Sequence, residues 1–475
     1  MFDVVVIGGG VVGGLILREL TRYDISCAML EKESDVCMGQ SKANSGIVHA
    51  GFDAKEGSLK AKFNVLGSNM MPRVTEELGV KYLNNGSLVV AFNEEERNIL
   101  EELKVRGEKN GVTGLEIIDQ KTLREKEPNI SDEAICALYA PTGGIVCPYD
   151  LAIASIGNAM DNGAKLYTSF DVEKIEKEVD GFCLTSAKGE IVKSKIIVNA
   201  CGKGTQKVAN LLGDNSFTIG ARKGQYILLD KEHFVNDTLF FTPTKKGKGI
   251  LVTSTVDGNV LLGPTAEECE DLNDTTTNKE GYEFIISKVK KMCKNVPLWN
   301  TITSFTGTRI YCDRHDFIIE KSQTVNNLIN VAGIESPGLT SSPAIAEYVV
   351  NELIGSLIAL KPNEKFNPVR KKELFFRNLT TKQKIDLIKS NPAYGKIVCK
   401  CEKITEGEIV SAIKSNPPAT CVDAIKRRTR AGMGRCQGGF CQPKVAEIIA
   451  RELEIPFEKV TKSGEGSNLI VGVSK

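Results

Sequence analysis

The strongest constraint on the fold is a glycine-rich turn between the first apolar run and a helix. A β-branched run at 2–7 leads into the turn at 8–13. An apolar helical stretch follows at 14–20, and a second apolar run lies at 27–31. Gly8 permits a tight turn, Gly10 lets an anionic group approach the backbone, and Gly13 allows the helix to pack closely on the strand. The N-terminus of that helix attracts anions through its N–H groups and its dipole. This order of elements predicts a parallel α/β fold that binds a dinucleotide.

An acidic residue supports the dinucleotide prediction. Glu31 lies 23 residues after Gly8, at the end of the second apolar run. A carboxylate at this position can bind the ribose hydroxyls of an adenosine. A merely structural glycine turn would not need the strand, the helix and the acid together. The turn alone does not distinguish NAD from FAD.

Four cysteines near the C-terminus form two close pairs. Cys399 and Cys401 make the first pair, and Cys436 and Cys441 make the second. Sulfur ligands favour iron–sulfur clusters or zinc, and the glycines around the second pair let the backbone wrap closely around a metal site. The Cys-x-Cys spacing is shorter than the usual separation of paired zinc ligands. Buried free thiols and a zinc knuckle remain alternatives at this point.

Length, charge and cysteine usage exclude several classes of protein. The 475 residues are enough for about two to four domains. A net charge of +1 creates no overall field that attracts nucleic acid. No apolar run approaches the ~20 residues of a membrane-spanning helix. Fourteen cysteines without a signal-type N-terminus predict reduced thiols and a cytoplasmic location.

Three later segments contain glycine loops, at 41–51, 195–204 and 327–342; the first is polar, and the other two begin with an apolar run. Together with the N-terminal turn they resemble the D-amino-acid oxidase/glycerol-3-phosphate dehydrogenase superfamily of flavoproteins, over about residues 1–360. The resemblance implies that the cofactor is FAD. It also implies that the FAD-binding residues are Gly8, Gly10, Gly13, Glu31, Ser41, Asn44, Ser45, Gly46, Gly202, Gly333, Gly338, Leu339 and Thr340.

Two motifs narrow this resemblance. The stretch from Asn44 to Gly51, with His49 inside it, and the run Gly307-Thr-Arg309 look most like two groups of the superfamily. One group contains the bacterial type II glycerol-3-phosphate oxidases and the anaerobic dehydrogenase catalytic subunit. The other contains the L-2-hydroxyglutarate oxidases. Both imply a small anionic substrate.

The cysteine segment, from Cys399 to about residue 449, resembles the bacterioferritin-associated ferredoxin-like [2Fe–2S] domain. It matches in Cys-Lys-Cys-Glu, in the basic stretch 425–436 and in the closing Phe-Cys-Gln-Pro. Cys421 lies between the pairs and outside the motif, so we interpret it as a small core residue. The resemblance implies that a [2Fe–2S] cluster is ligated by Cys399, Cys401, Cys436 and Cys441.

The predicted fold class is α/β. A Rossmann-type FAD-binding domain is interleaved with an antiparallel-sheet substrate domain, and a small helical [2Fe–2S] domain follows. We assign the FAD-binding domain to 1–70, 145–215 and 305–360, the substrate domain to 71–144 and 216–304, a linker to 361–395, and the [2Fe–2S] domain to 396–475. The pattern also predicts helices at 148–161 and 443–453 and a hairpin within 167–186.

His49 is the best candidate for a catalytic base, because an imidazole titrates near neutral pH and the resemblance puts its loop beside the flavin. A histidine that only bonds the flavin or packs the loop is the alternative. His315, near Arg309, is a weaker candidate. His233 lies in a charged stretch and is predicted at the surface.

Arg309 is predicted to act in catalysis by anchoring the substrate's anionic group, since related flavoenzymes place an arginine in this Gly-x-Arg motif. Its guanidinium offers a bidentate fork for phosphate or carboxylate. A salt bridge to a helix acid is the alternative. Arg222 and Lys223 could complete a phosphate site, although a solvated strand end explains them equally well.

A basic run precedes the second cysteine pair: Lys426, Arg427, Arg428 and Arg430. These cations could offset the negative charge of a cluster or dock an acidic electron acceptor. A solvated helix face is equally compatible with the run.

An alcohol, a flavin and a [2Fe–2S] cluster form an ordered electron path. The predicted function is an FAD- and [2Fe–2S]-dependent glycerol-3-phosphate dehydrogenase that forms dihydroxyacetone phosphate. Its electrons would pass to a partner protein or subunit, a flavoprotein or a quinone- or NAD-linked acceptor, which could also hold it at a membrane surface. The alternatives are an L-2-hydroxyglutarate or other 2-hydroxyacid dehydrogenase, an amino-acid dehydrogenase, and an electron-transfer or redox-sensing subunit.

Overall fold

The computed structural model describes residues 1–243, 249–371 and 374–472. An eight-stranded sheet has the N-terminal strand near its middle. Its strands are Phe2–Ile7, Cys27–Leu30, Lys165–Tyr167, Val172–Glu178, Gly181–Ser186, Ile191–Asn199, Ile318–Lys321 and Leu328–Ala332. The hairpin predicted within 167–186 is confirmed, because two of these strands pair antiparallel on either side of residues 179–180.

Parallel pairing organises the centre of this first sheet. Phe2–Ile7 pairs in parallel with Cys27–Leu30 on one side and with Ile191–Asn199 on the other. Leu328–Ala332 extends the parallel set. Val5 is completely buried, as expected of a strand that is covered on both faces. The predicted α/β fold around the glycine turn is therefore confirmed.

The second sheet has nine strands. They are Ser87–Ala91, Glu116–Asp119, Cys136–Ala140, Ile219–Lys231, Thr238–Phe241, Leu251–Ser254, Asn259–Gly263, Glu267–Cys269 and Thr301–Cys312. The sheet is mixed, because Thr238–Phe241 runs parallel to Ser87–Ala91. Its two longest strands, Ile219–Lys231 and Thr301–Cys312, pair antiparallel. The predicted domain boundary at residue 305 falls inside the second of these strands.

Helices cover the first sheet and flank the second. Val11–Leu20 packs against both Pro148–Asp161 and Gly338–Tyr348. The other α-helices are Leu59–Leu78, Glu94–Lys109, Gln120–Lys126, Thr205–Leu211, Lys279–Met292, Thr381–Ser390, Glu406–Lys414, Val422–Thr429 and Gln442–Leu453. Both predicted helices, at 148–161 and 443–453, are present. Within the described ranges, no helix combines the length and the apolar composition needed to span a bilayer.

Small sheets complete the structure. Ile47–Val48, Tyr82–Leu83 and Gly144–Val146 form one, and Ile397–Cys399 and Ile404–Thr405 form another. The latter packs with the last three helices around a separate apolar core, in which Ile425 and Ile449 are fully buried. Cys421 belongs to this core, as predicted.

Buried ion pairs join the C-terminal helices to the first sheet. The Asp35 carboxylate follows the strand Cys27–Leu30 and accepts hydrogen bonds from Arg427, at 2.5 Å, and from Arg428, at 2.8 and 2.9 Å. All three side chains are almost fully buried. Burial raises the pKa of Asp35, but the hydrogen bonds and charges of the two arginines outweigh it and lower the pKa. Two cations of the basic run therefore serve the domain junction and not the surface.

A second ionic network joins the same domain to the second sheet. Arg430 donates to Asp257 at 2.9 Å, to Glu402 at 3.0 Å and to Asn259 at 2.9 Å. Arg377, from the predicted linker, bonds the same two carboxylates at 2.8 and 2.7 Å. Burial raises the pKa values of Asp257 and Glu402, but Arg430, helped by Lys81 and Arg377 at Asp257 and by Lys231 at Glu402, lowers both below their ordinary values. The C-terminal domain is thus fixed against both sheets.

Replacing Asp35 with Asn should destabilise the protein by about 3–5 kcal/mol, because two buried guanidinium groups lose their counter-charge. The measurement is the shift of the first unfolding transition in guanidinium chloride. Because the pKa of Asp35 is lower in the folded state, its contribution to the free energy of unfolding is complete above the unfolded-state pKa. That contribution is lost as the pH falls from there through the folded-state pKa. The control is Asp423→Asn, whose partner Lys462 is half exposed and whose loss should cost about 1 kcal/mol or less. Equal shifts for the two variants would contradict the role assigned to Asp35.

Candidate functional site

A cavity of about 1770 Å³ is bounded by residues of both sheets. Of the residues predicted to bind FAD or the substrate, three lie outside its lining: Gly13, Lys223 and Thr340. Those that line it are Gly8, Gly10, Glu31, Ser41, Asn44, Ser45, Gly46, His49, Gly202, Arg222, Arg309, Gly333, Gly338 and Leu339. The fold therefore brings together segments that are up to about three hundred residues apart in sequence.

The glycine turn has the close backbone approaches that its sequence predicts. Gly8 has φ +111°, and a Cβ there would lie 2.6 Å from the Ala200 carbonyl oxygen. A Cβ on Gly13 would lie 2.1 Å from the Gly8 carbonyl oxygen, so a larger residue would separate the helix from the strand. Gly13 thus shapes the turn without lining the cavity.

Glu31 ties the turn to the second strand. Its carboxylate accepts hydrogen bonds from the N–H groups of Gly9, at 2.7 Å, and Glu33, at 2.9 Å. Burial raises the pKa of Glu31, and these two N–H groups oppose that rise. A carboxylate has about four lone-pair sites, so Glu31 keeps acceptor capacity for ribose hydroxyls on the cavity side.

The loop after residue 40 closes the cavity from one side. The Ser41 hydroxyl accepts a hydrogen bond from the N–H of Val11 at 2.9 Å, at the start of the first helix. Thr340 positions the other end of the loop, because its hydroxyl accepts from the N–H of His49 at 2.9 Å and donates to the Ile47 carbonyl at 3.2 Å. Thr340 therefore holds this loop from behind the cavity.

His49 lies in the cavity wall with two neighbours that sequence analysis did not identify. Its Nε2 is 3.3 Å from the Ser336 hydroxyl, and its ring centroid is 5.8 Å from that of Phe240. Ser336 follows the strand Leu328–Ala332, and Phe240 lies in the second sheet. No local pattern could identify them, since both contacts form between distant parts of the chain.

The other two histidines are not part of this wall. His315 lines a second cavity, of about 550 Å³, which shares His49 and Ser336 with the first. His233 is exposed, as predicted. Of the three histidines, only His49 lines the large cavity.

Arg222 and Arg309 face each other across two paired strands and both line the cavity. Glu268 neutralises Arg222 through a 2.5 Å hydrogen bond, and the Tyr311 ring lies 4.4 Å from the Arg222 guanidinium. Arg309 is half-buried and makes no salt bridge to any residue in the described ranges. Residues directly opposite each other in a sheet place their side chains on the same face. An anion in the cavity would therefore meet Arg309, which has no acidic partner among the described residues, with Arg222 on the neighbouring strand.

Lys223 points away from this pair. Successive side chains of a strand face opposite sides of the sheet, and the Lys223 ammonium lies 2.8 Å from Asp274. The structure therefore separates the two adjacent cations, with Arg222 at the cavity and Lys223 in an ion pair outside its lining.

The four cysteines of the C-terminal domain form two thiol pairs, each with one member from each sequence motif. The Sγ atoms of Cys401 and Cys436 are 3.9 Å apart, and Cys401 is exposed. Cys399 and Cys441 form a buried, hydrogen-bonded pair. Hydrogen bonds from Cys441 and from the N–H groups of Gly432 and Glu402 lower the pKa of Cys399 to about 6. A lowered pKa favours the thiolate, which is the form that binds metal.

This arrangement fits a binuclear cluster better than a single metal ion. In the described part of the chain, no three His, Cys, Asp or Glu side chains lie close enough together to hold one ion. A tetrahedral zinc site needs four ligands around one centre, whereas a [2Fe–2S] cluster takes four thiolates across two irons. Two separate thiol pairs match the second requirement.

Residues 3–352 match the family described as "FAD dependent oxidoreductase", and residues 397–451 match the "BFD-like [2Fe-2S] binding domain". The chain belongs to the FAD-dependent oxidoreductase family. Its cofactors are FAD and a [2Fe–2S] cluster, which confirms both predictions. The large cavity, with the glycine turn and Glu31 on its wall, fits the first cofactor, and the two thiol pairs fit the second.

Three similar proteins have names that state a substrate, either glycerol 3-phosphate or L-2-hydroxyglutarate. The glycerol 3-phosphate dehydrogenase of Caloramator mitchellensis is 46% identical over 100% of this chain and 99% of its own. The mitochondrial L-2-hydroxyglutarate dehydrogenase of Bos taurus is 33% identical over 74% and 88%. The FAD-bound L-alpha-glycerophosphate oxidase of Mycoplasma pneumoniae has a TM-score of 0.74 and 30% identity, covering 78% of this chain and 98% of its own.

The purified oxidoreductase should contain iron and acid-labile sulfide in equal amounts, because a [2Fe–2S] cluster holds two irons and two sulfides. Chemical analysis of both elements measures this directly. Cys401→Ser should lower the iron content, whereas Cys421→Ser should leave it unchanged, since Cys421 lies in the core of the domain. Zinc without sulfide would contradict the assignment.

Gly10→Val should remove FAD and leave the iron content unchanged. A Cβ at Gly10 would lie 3.2 Å from the Ser41 hydroxyl, and a branched side chain would then occupy the space that the pyrophosphate needs. The ratio of flavin to iron in the purified protein measures the effect. Full flavin occupancy would mean that the pyrophosphate binds elsewhere.

Proposed function

We propose that this oxidoreductase is a glycerol-3-phosphate dehydrogenase that forms dihydroxyacetone phosphate and passes its electrons to a separate acceptor. The observation that carries the proposal is the pair of opposed arginines, Arg222 and Arg309, on the same cavity as His49. A phosphate dianion gains more from two guanidinium groups than one carboxylate does. The names of the relatives support the same substrate.

Arg309 is the proposed anchor of the phosphate. Its guanidinium has no acidic partner in the described ranges, so its hydrogen-bonding capacity is available to a ligand. Arg222 is already bonded to Glu268 and would add a second cation of lower effective charge. We leave Lys223 out of the proposed site because its ammonium is paired with Asp274.

His49 is the proposed base for the substrate hydroxyl. When bound, FAD supplies the two-electron acceptor for the hydride of the carbinol carbon. The imidazole would take the hydroxyl proton at Nε2, and the Ser336 hydroxyl, 3.3 Å from that nitrogen, would accept a hydrogen bond from the resulting Nε2–H. The Thr340 hydroxyl, which accepts from the backbone N–H of His49, keeps the loop that carries the ring in place.

A second candidate, oxidation of L-2-hydroxyglutarate, is favoured by one observation, the similarity to the bovine dehydrogenase of that substrate. Anaerobic titration of the flavin absorbance with glycerol 3-phosphate, L-2-hydroxyglutarate and amino acids decides between the candidates. Fastest bleaching by glycerol 3-phosphate supports the proposal. Faster bleaching by L-2-hydroxyglutarate replaces it with the second candidate.

His49→Ala should slow anaerobic flavin reduction by about 10²–10⁴-fold, which is the usual contribution of general-base catalysis. FAD should stay bound, since the His49 imidazole is only one of many side chains that line the FAD cavity. Stopped-flow absorbance measures the rate. His233→Ala, at an exposed position, is the control and should behave as the wild type. A rate for His49→Ala within about twofold of wild type would show that His49 is not the base, and His315 would be tested next.

Arg309→Lys should raise the dissociation constant of glycerol 3-phosphate by about 10- to 100-fold, because the bidentate fork is lost and a charge-assisted hydrogen bond contributes about 1.5–3 kcal/mol. Arg222→Ala should weaken the same binding to a smaller degree. Lys223→Ala is the matched control, one residue along the strand and paired outside the cavity lining. Equal effects of the Arg222 and Lys223 changes would refute the proposed phosphate site.

A further inference from the structure

The cluster-binding domain has one thiol pair inside and one at the surface. Cys399 and Cys441 are buried, whereas Cys401 is exposed and Cys436 is partly exposed. The domain is also fixed by the buried ion pairs of Asp35 and of Arg430. Electrons that reach this domain must therefore leave through the surface around Cys401 and Cys436, since the domain cannot swing out to meet an acceptor.

The surface around these two cysteines is basic. Lys400 and Lys403 flank Cys401, both are exposed, and neither makes a salt bridge within the described part of the chain. Arg435 precedes Cys436, bonds Asp230, and keeps a 72% exposed side chain. Two acids beside these cations are already paired: Asp230 with Arg435, and the buried Glu402, next to Cys401 in sequence, with Arg377, Arg430 and Lys231.

An exposed aromatic ring accompanies these cations. Phe440 is 88% exposed, directly precedes Cys441, and its backbone N–H bonds the Cys436 sulfur. A large exposed apolar side chain among charged residues is typical of a protein–protein contact. The surface made of Lys400, Lys403, Arg435 and Phe440 is called the exit surface below.

We propose that the exit surface docks an acidic one-electron carrier protein, which oxidises the cluster. The unpaired positive charges of Lys400 and Lys403 provide the electrostatic complementarity, and Phe440 provides the apolar contact. Oxidation of one alcohol releases two electrons and the cluster passes one at a time, so two carrier molecules are each reduced by one electron per turnover. This inference rests on the proposed function for the origin of the electrons, but the docking itself does not depend on the substrate.

The test measures binding of two probe proteins to the holoenzyme without substrate, by isothermal titration calorimetry. The probes are an acidic [2Fe–2S] ferredoxin and a basic cytochrome c. The ferredoxin should bind and weaken steeply as salt is added, whereas the cytochrome should not bind measurably. The double change Lys400→Glu and Lys403→Glu should weaken ferredoxin binding by on the order of tenfold or more, since charge reversal at a docking surface acts on association.

Two controls separate docking from general charge effects. Lys174→Glu with Lys177→Glu makes the same change in net charge on an exposed strand of the first sheet, and ferredoxin affinity should then stay within about twofold of wild type. Phe440→Ala tests the apolar contact at constant charge and should also weaken binding. The visible spectrum of each variant reports whether the cluster remains bound.

Several results would overturn the inference. They are no ferredoxin binding, equal binding of the cytochrome, equal weakening by both lysine pairs, or no weakening by Lys400→Glu with Lys403→Glu. Failure of glycerol 3-phosphate to bleach the flavin would refute the proposed substrate and leave the docking result standing. The two failures are therefore distinguishable.

Discussion

The buried Asp35 carboxylate, held between Arg427 and Arg428, connects the two cofactor sites of this protein. It lies four residues after Glu31, which shapes the nucleotide turn, and its arginines lie on the helix that precedes the cluster loop. A carboxylate this deeply buried is stable only when it is paired and hydrogen-bonded. The ion pair thus fixes the C-terminal domain against the FAD-binding sheet, and the second network around Glu402 fixes it against the other sheet.

Local sequence patterns were enough to predict much of the fold. The strand Phe2–Ile7, the turn and the following helix depend on contacts between near neighbours, so their pattern is visible in the sequence. The helix Pro148–Asp161 matches its predicted bounds for the same reason. The second sheet was harder to predict from the sequence, because the parallel pairing of Thr238–Phe241 with Ser87–Ala91 joins segments about 150 residues apart. Likewise, Thr301–Cys312 belongs to this sheet through its long-range pairing with Ile219–Lys231, which no local pattern displays.

Site residues that belong to a local sequence motif could be predicted. Those that reach the site only through long-range folding contacts could not. His49 and Arg309 belong to motifs, and both line one cavity. Ser336 and Phe240 reach His49 only through folding, and the opposed position of Arg222 depends on strand register. The basic run before Cys436 led to one wrong expectation about the surface of the protein. Its charge suggested a docking surface, but Arg427, Arg428 and Arg430 are buried in ion pairs, and the exposed cations lie at positions with no pattern of their own.

The junction between the domains also bears on how such a chain could gain or lose its C-terminal part. The oxidase of Mycoplasma pneumoniae is matched over 98% of its length by 78% of this chain, so a shorter architecture exists. Cutting this chain after residue 371 would remove both arginines from Asp35, and would remove Arg377 and Arg430 from Asp257, which would keep its 2.9 Å ion pair with Lys81. A lineage that discards the domain no longer needs these two acids, and one that acquires it must introduce them. Family members with the C-terminal domain should therefore carry acids at positions 35 and 257, and members without it need not.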